Sequence, residues 1–339
     1  MKVGIFNKSK PWQKERMSQL LEAAKIDFEF YDFPLNKTTA ANVGSELVAA
    51  SVFVDSAVDE ECLAKLPALK FLNTQSTGYD HIDQEACRKR GVAVSYVPDY
   101  GEVTVAEYSF ALLLALSRKI IEAGNQVRAT GSFATDGLTG FDLQGKTLGV
   151  IGTGKIGRQV VRIARGFEMR VAAFDVHPDE AYARANGFEY LPLDDVLRES
   201  DIVTLHVPYL PETHHLLDEK TIRLMKQGAY LINTSRGGVV ETAALVAALK
   251  DGRLGGAGLD VLEEEGVIKD ELNFVTSGHP GEHNLATALM DHVLMELPNV
   301  VVTPHNAFNS REALTRILDT TVRNIQGFAA GQPTNLIKP

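Results

Sequence analysis

Short apolar runs recur along the whole chain, separated by stretches in which apolar residues fall on one helical face. The first set covers residues 3–6, 28–31, 52–54, 71–73 and 92–97, and it is rich in β-branched and aromatic residues, as strands are. Strand and helix alternating at this spacing predict βα units and a parallel sheet. A longer helical pattern over 103–117 follows Pro98, and a polar, glycine-containing segment over 124–140 separates this set from the next. The second set lies at 147–151, 171–174, 202–207, 230–233, 257–259 and 300–303. Its runs are nearly unbroken, as in strands buried on both faces, so this half reads as a doubly wound sheet with helices on each side. A last helical pattern over 311–329 is left over once that sheet is complete, and it is expected to return to the first domain.

A length of 339 residues exceeds one ordinary core and agrees with two domains. The boundaries expected from the pattern divide the chain into 1–101, 102–304 and 305–339. A longer connection, 266–297, has no strand pattern, holds the turn-rich stretch Ser277-Gly278-His279-Pro280-Gly281, and reads as a loop placed to cover a cleft. With 34 Lys and Arg against 44 Asp and Glu the net charge is -10, which disfavours nucleic acid and anionic membranes as partners and suits small-molecule chemistry. Cys62 and Cys87 show neither CxxC spacing nor a histidine cluster, and His206, His214, His215, His279, His283 and His292 show no metal-ligand spacing, so no metal is assigned. No apolar run is long enough for a signal segment or a membrane span, and the chain is expected to be cytoplasmic.

Gly152, Gly154 and Gly157 follow an apolar strand and open a helix, the context in which GxGxxG binds a dinucleotide pyrophosphate. The next strand ends in Asp175, 18 residues beyond Gly157 and near the roughly 20 expected of the acid that binds the adenosine ribose. A carboxylate there accepts hydrogen bonds from a 2′-hydroxyl and repels a 2′-phosphate, and Val176-His177-Pro178 brings no arginine, so the expected cofactor is NAD rather than NADP. Downstream, Thr234-Ser235-Arg236-Gly237, Asp260-Val261-Leu262-Glu263-Glu264-Glu265 and Thr303-Pro304-His305 supply a guanidinium, a carboxylate and an imidazole at the ends of consecutive strands. That set can hold a 2-keto acid and move a proton on it, so proton transfer coupled to hydride transfer is the expected chemistry.

With these residues in view, the chain resembles the D-isomer-specific 2-hydroxyacid dehydrogenases, and within them the D-lactate dehydrogenase branch. The most specific stretches are Ser76 to Asp83, the nucleotide turn, His206-Val207-Pro208 with Pro211-Glu212-Thr213, Asn233 to Gly238, Asp260 to Glu265, and Thr303 to His305. The resemblance implies a Rossmann NAD domain inserted into a flavodoxin-like substrate domain, with the C-terminal helix completing the latter, the active site in the intervening cleft, and a homodimer built on the NAD domain. It also implies roles for single residues. Arg236 would bind substrate, Glu265 would pair with the histidine, and His305 would donate the proton. Lys155 and Ile156 belong to the pyrophosphate turn, Val207, Pro208 and Thr213 to the adenosine side, and Thr234, Ser235, Arg236 and Asp260 to the nicotinamide side. Tyr100 and Phe308 would face the substrate. Glu265 is followed by Gly266 rather than the proline frequent in the wider family, as in the D-lactate branch.

The chemistry is consistent with those roles. An imidazolium is the side chain best matched to proton delivery near neutral pH, and a carboxylate beside it favours the charged ring and fixes its orientation. The planar fork of Arg236 can engage a carboxylate and polarise the neighbouring carbonyl. The backbone amides of Thr77, Gly78 and Tyr79, in a turn after a strand, can cradle the same carboxylate. The expected activity is reduction of pyruvate or a close 2-keto acid by NADH; the alternatives are a bulkier branched or aromatic 2-keto acid, or a non-catalytic NAD-sensing scaffold of the same fold.

Overall fold

Five of the N-terminal apolar runs lie side by side as parallel strands in the computed structural model, which describes residues 1–7, 9–269 and 284–337. They are β1 (Lys2–Phe6), β2 (Asp27–Tyr31), β3 (Ala49–Val52), β4 (Phe71–Thr74) and β5 (Ala93–Ser95), paired in the order β2-β1-β3-β4-β5. This is the flavodoxin-like order. Helices α1 (Pro11–Ala23), α2 (Glu60–Ala64) and α3 (Gln84–Lys89) make connections, the last two capped by Asp59 and Asp83, whose carboxylates accept amides of the first turn. The sequence pattern placed β3 at 52–54; the strand starts earlier because Ala49, Ala50 and Ser51 are fully buried and their small side chains carry little hydrophobic signal.

The chain divides into two compact units, one formed by Met1–Tyr100 with Asn309–Pro339, the other by Gly101–Phe308. The C-terminal helix Arg311–Ala329 joins the first unit because one face of it is apolar: Leu318, Val322 and Ile325 pack with Val3, Ile5, Met17 and Phe71. Phe328 stacks on Phe71 at 4.5 Å between centroids. A buried polar network fixes its register, Asn324 Nδ2 donating to Asn73 Oδ1 at 2.8 Å and to the Tyr96 carbonyl at 2.9 Å.

In the second unit α4 (Glu102–Ser117) and α5 (Ile120–Thr130) precede β6 (Thr147–Ile151), α6 (Lys155–Gly166), β7 (Arg170–Phe174), α7 (Glu180–Asn186), β8 (Glu189–Tyr190), α8 (Leu193–Glu199) and β9 (Ile202–Leu205). There follow α9 (Glu219–Leu224), β10 (Ala229–Asn233), α10 (Thr242–Lys250), β11 (Leu254–Leu259), α11 (Glu265–Lys269), α12 (Leu285–Glu296) and β12 (Val300–Val302); the C-terminal helix is α13. The seven parallel strands run β12-β11-β10-β9-β6-β7-β8, the Rossmann order with one strand added at an edge. Its direction reverses between β6 and β9, where such sheets bind ligands beyond the strands' carboxyl ends.

Three expectations change. The polar 124–140 segment, read as a separator, contributes to α5. The 266–297 connection is no plain loop, since α11 and α12 occupy both its ends; residues 270–283, with the Ser277–Gly281 turn and His279 and His283, lie outside the described residues. The C-terminal boundary falls after Phe308 rather than before His305, because the Asn306 and Ala307 amides donate to Asp260 at the end of β11, each at 2.8 Å, and hold that loop on the nucleotide sheet. No helix among the described residues is long and apolar enough to cross a membrane.

Candidate active site and nucleotide turn

The three glycines after β6 do different work. Gly152 has φ +92, and a Cβ there would stand 2.6 Å from the His206 carbonyl oxygen, so the reversal out of β6 admits only glycine. A Cβ on Gly157 would meet the Gly152 carbonyl oxygen at 2.0 Å; the first turn of α6 rests directly on the strand end. At Gly154 a Cβ would meet no protein atom within 4 Å. No atom of the described residues uses that space, which suits close approach of a pyrophosphate to the backbone. The first-turn N–H groups of α6 have no intrahelical acceptor and form the positive end of its dipole, and Lys155, Ile156 and Gly157 supply them.

Asp175 follows β7 and is held in place by three hydrogen bonds that the sequence did not reveal, one of them from a hydroxyl that Tyr190 also holds. Its Oδ2 accepts the Thr153 amide at 2.7 Å and the Thr153 hydroxyl at 2.9 Å, its Oδ1 accepts the His177 amide at 2.9 Å, and Tyr190 meets the same hydroxyl at 2.7 Å. Burial opposes ionisation here, yet the His177 and Thr153 donors outweigh it and hold the carboxyl below its usual range. The residue is therefore a fixed anion at the end of β7.

Other proposed cofactor residues shape turns. The Thr213 hydroxyl donates to the Pro208 carbonyl at 2.7 Å and accepts the Leu210 amide at 2.8 Å, closing the loop after Val207 and Pro208. Thr234 shares a hydrogen bond with Ser109 at 2.9 Å, and the Ser235 hydroxyl donates to Asn233 Oδ1 at 2.8 Å. Asn233, buried at the end of β10, also donates to the Arg236 carbonyl at 2.9 Å and thereby sets the direction in which Arg236 leaves the strand. Gly237 follows because a Cβ there would strike the Leu262 carbonyl oxygen at 2.0 Å.

Arg236, Glu265 and His305 lie beyond β10, β11 and β12, three adjacent strands. Two of them meet: His305 Nδ1 is 2.8 Å from Glu265 Oε1, with side chains 20% and 31% exposed. His305 has φ +51, unusual for a residue with a side chain, and is kept there by its amide donating to the Asp260 carbonyl at 2.8 Å. Asp260, assigned from the resemblance to the nicotinamide side, spends its carboxylate on this loop, accepting the Thr303 hydroxyl at 2.6 Å besides the two amides. Burial pushes its pKa up against those donors. His206 is a poor rival as proton donor: although the residue keeps some solvent contact, burial of its ring pushes it down to about 3. A cavity of about 570 Å³ is lined by Glu265, His305 and Asp260 with apolar side chains along β12; Arg236 does not line it, so it is not assigned to substrate.

All three glutamates of the 263–265 run have separate partners. Glu263 pairs with His215 at 2.7 Å and accepts the Thr242 hydroxyl at 2.8 Å, Glu264 accepts the Asn284 amide at 3.1 Å, and Glu265 faces His305. The first two pairs escaped sequence reading because their partners sit far away in the chain.

In the first unit, residues 76–79 turn sharply after β4. The Ser76 hydroxyl donates to the Gly78 carbonyl at 2.6 Å and the Thr77 hydroxyl to the Val97 carbonyl at 2.8 Å, whereas the amides of Thr77, Gly78 and Tyr79 donate to no group among the described residues. Successive unclaimed amides suit an anion. Tyr100 is fixed through its carbonyl, which accepts Arg316 Nε at 2.9 Å. Phe308 is half-buried at the end of the second unit. Among the described residues no group of three or more His, Cys, Asp or Glu is arranged to hold a metal.

Comparison with known proteins adds names to this geometry. Residues 110–307 match the model for the NAD binding domain of D-isomer specific 2-hydroxyacid dehydrogenases. The chain is 36% identical to the D-lactate dehydrogenase of Escherichia coli K12, over 99% of this chain and 100% of that protein. It is 35% identical to a glyoxylate reductase of Korarchaeum cryptofilum, over 95% and 92%. The structure of the Aquifex aeolicus D-lactate dehydrogenase complexed with NAD and lactic acid is similar at TM-score 0.85 and 34% identity, covering 98% of this chain and 96% of that one.

Proposed function

The chain belongs to the D-isomer-specific 2-hydroxyacid dehydrogenases, NAD-dependent oxidoreductases, and from that premise we propose that it reduces pyruvate, or a 2-keto acid of similar size, to the D-2-hydroxy acid. When bound, NADH supplies the hydride that reaches the carbonyl carbon. The protein's own task is to deliver a proton to the carbonyl oxygen and to hold the substrate while charge develops. With Glu265 ionised, Nδ1 of His305 donates to Oε1, so the proton to be delivered sits on Nε2. Loss of that proton converts imidazolium to imidazole as the carbonyl becomes a hydroxyl; oxidation of the hydroxy acid runs the same transfer backwards. Glu265 fixes the ring and offsets its positive charge.

Arg236 engages the substrate carboxylate through its planar fork and polarises the adjoining carbonyl. In the first unit the unclaimed amides of Thr77, Gly78 and Tyr79 are suited to a carboxylate, and Tyr100 and Phe308 are assigned to substrate from the resemblance. Asp175 accepts the adenosine ribose hydroxyls, the α6 turn faces the pyrophosphate, Val207, Pro208 and Thr213 lie toward adenosine, and Thr234, Ser235 and Asp260 toward nicotinamide.

The observation that carries this reading is the 2.8 Å contact of His305 with Glu265 beyond adjacent strands of a nucleotide-binding sheet. NADH oxidation with pyruvate tests it. Replacing His305 with alanine should lower kcat by about a hundred- to ten-thousand-fold, and turnover equal to wild type would sink the proton-donor role. The glyoxylate reductase relatives keep a smaller keto acid in view, and a panel of glyoxylate, pyruvate and branched 2-keto acids ranks them by kcat/KM. Pyruvate ranking far below another member would replace it as substrate.

A further inference from the structure

Asp291 is an unusual residue to find in the middle of α12. It is fully buried, and the nearest acidic groups, Glu263 and Glu264, both disfavour its ionisation. Burial is the larger effect, pushing its carboxyl up to about 6. An apolar side chain at this helix position would avoid that penalty, so stability alone gives no reason for the carboxyl.

Its contacts do give one. Oδ2 accepts the Glu264 amide at 3.0 Å, and Glu264 is the residue immediately before Glu265. Oδ1 lies 3.4 Å from the Thr242 hydroxyl, which already donates to Glu263 Oε2 at 2.8 Å. Glu263 is gripped in turn by His215 at 2.7 Å. At the N-cap of α12, the Asn284 amide donates to Glu264 Oε1 at 3.1 Å, while Asn284 Oδ1 caps the helix through the Ala286 and Thr287 amides at 3.1 and 3.2 Å. The segment 263–264 is thus tied to α10, to the loop before α9 and, twice, to α12. Glu265, next in the chain, faces His305 at 2.8 Å.

We propose that Asp291 is a positioning residue: by accepting the Glu264 amide it sets the place of Glu265, and through Glu265 the orientation of the His305 ring. It touches neither cofactor nor substrate. Without Asp291 the amide next to Glu265 would lose the carboxylate acceptor that fixes it to α12. A shift of about an ångström at a catalytic group lowers turnover by about a hundredfold, so one amide acceptor at this point has leverage out of proportion to its size.

The proposal rests on the proton-donor role assigned above to His305, and the experiment separates the two. Wild type, His305→Ala, Asp291→Ala and Asp291→Asn are compared for kcat and for KM for NADH, with pyruvate and glyoxylate. Asp291→Ala should lose about ten- to a hundredfold in kcat with KM for NADH unchanged within about twofold, since the nucleotide turn is elsewhere on the sheet. Asp291→Asn keeps an oxygen that can accept the Glu264 amide and should retain kcat within about threefold. If Asp291→Ala does not fold, Asp291→Ser, whose hydroxyl is too short to reach the amide, takes its place. A folded Ala or Ser variant with wild-type kcat overturns the positioning role, and so does an Asn variant as impaired as the Ala one. Wild-type turnover that survives His305→Ala overturns the proton-donor reading and this inference with it.

Discussion

The two glycines at 154 and 157 offer a sharp test of the cofactor site, because the structure assigns them opposite consequences. In Gly157→Ala the new Cβ would stand 2.0 Å from the Gly152 carbonyl oxygen, more than an ångström inside ordinary contact. Gly152 cannot yield easily, since its own φ of +92 and its closeness to the His206 carbonyl already fix it. The first turn of α6 must therefore lift off β6, an overpacking cost of about 1–3 kcal/mol. For a unit of this size each kcal/mol lowers the melting temperature by roughly 2–4 °C. In Gly154→Ala no protein atom lies within 4 Å of the new Cβ, and φ is −64, so the ligand-free protein should change by no more than about 0.5 kcal/mol. Its methyl group occupies the approach proposed for the pyrophosphate, and NADH affinity should fall about tenfold or more, which is about 1.4 kcal/mol. Thermal unfolding without cofactor and fluorescence titration with NADH measure the two effects separately. Wild-type NADH affinity in Gly154→Ala would refute the placement of the pyrophosphate, and an unchanged melting temperature in Gly157→Ala would refute the packing argument.

Replacing Asp175 with asparagine removes the charge while leaving an acceptor for the Thr153 amide; hydrogen bonds to charged groups contribute about 1.5–3 kcal/mol, so the preference for NADH over NADPH in kcat/KM should fall at least about tenfold, and an unchanged ratio would remove Asp175 as the selector. Asp291 makes stability depend on pH. Because its folded pKa is raised from 3.8 to about 6, the native state holds its proton more tightly than the unfolded chain does, and its unfavourable contribution grows as pH rises from about 4 through about 6. The stability of wild type relative to Asp291→Asn should accordingly fall by up to about 3 kcal/mol across that window; denaturant midpoints showing a constant difference would contradict it. Helix α5 has no buried residue and exposes Ile120, Ile121 and Val127 at 57%, 43% and 40%, and the homodimer expected from the resemblance is tested by mass. Sedimentation should show twice the 37.0 kDa chain mass, and a single species at the chain mass would exclude it.

The periodicity of apolar residues determined the two parallel sheets and the C-terminal helix, because a strand buried on both faces and an amphipathic helix each impose a repeat that survives in one dimension. The nucleotide turn was legible for a similar reason: its glycines, its helix and Asp175 fall within about thirty residues of one another. Glu265 and His305 could be nominated individually by residue type and by their place after apolar runs. What made them a pair was the pleating of β11 next to β12, which brings together groups 40 positions apart. Weak-signal elements were lost for identifiable reasons. β3 is built partly of alanine and serine, β8 has only two residues, and α12 stands beyond a stretch without periodicity. With α12 went Asp291, a carboxylate that looks like any surface acid until the helix is seen to be buried on that side. The sequence alone could not assign Asp260, Asn233 and Thr153 to the work of holding loops, since a hydrogen bond between remote backbone and side chain leaves no trace in spacing. Local chemistry is written along the chain; which carboxylate faces which amide is decided only when the sheet closes.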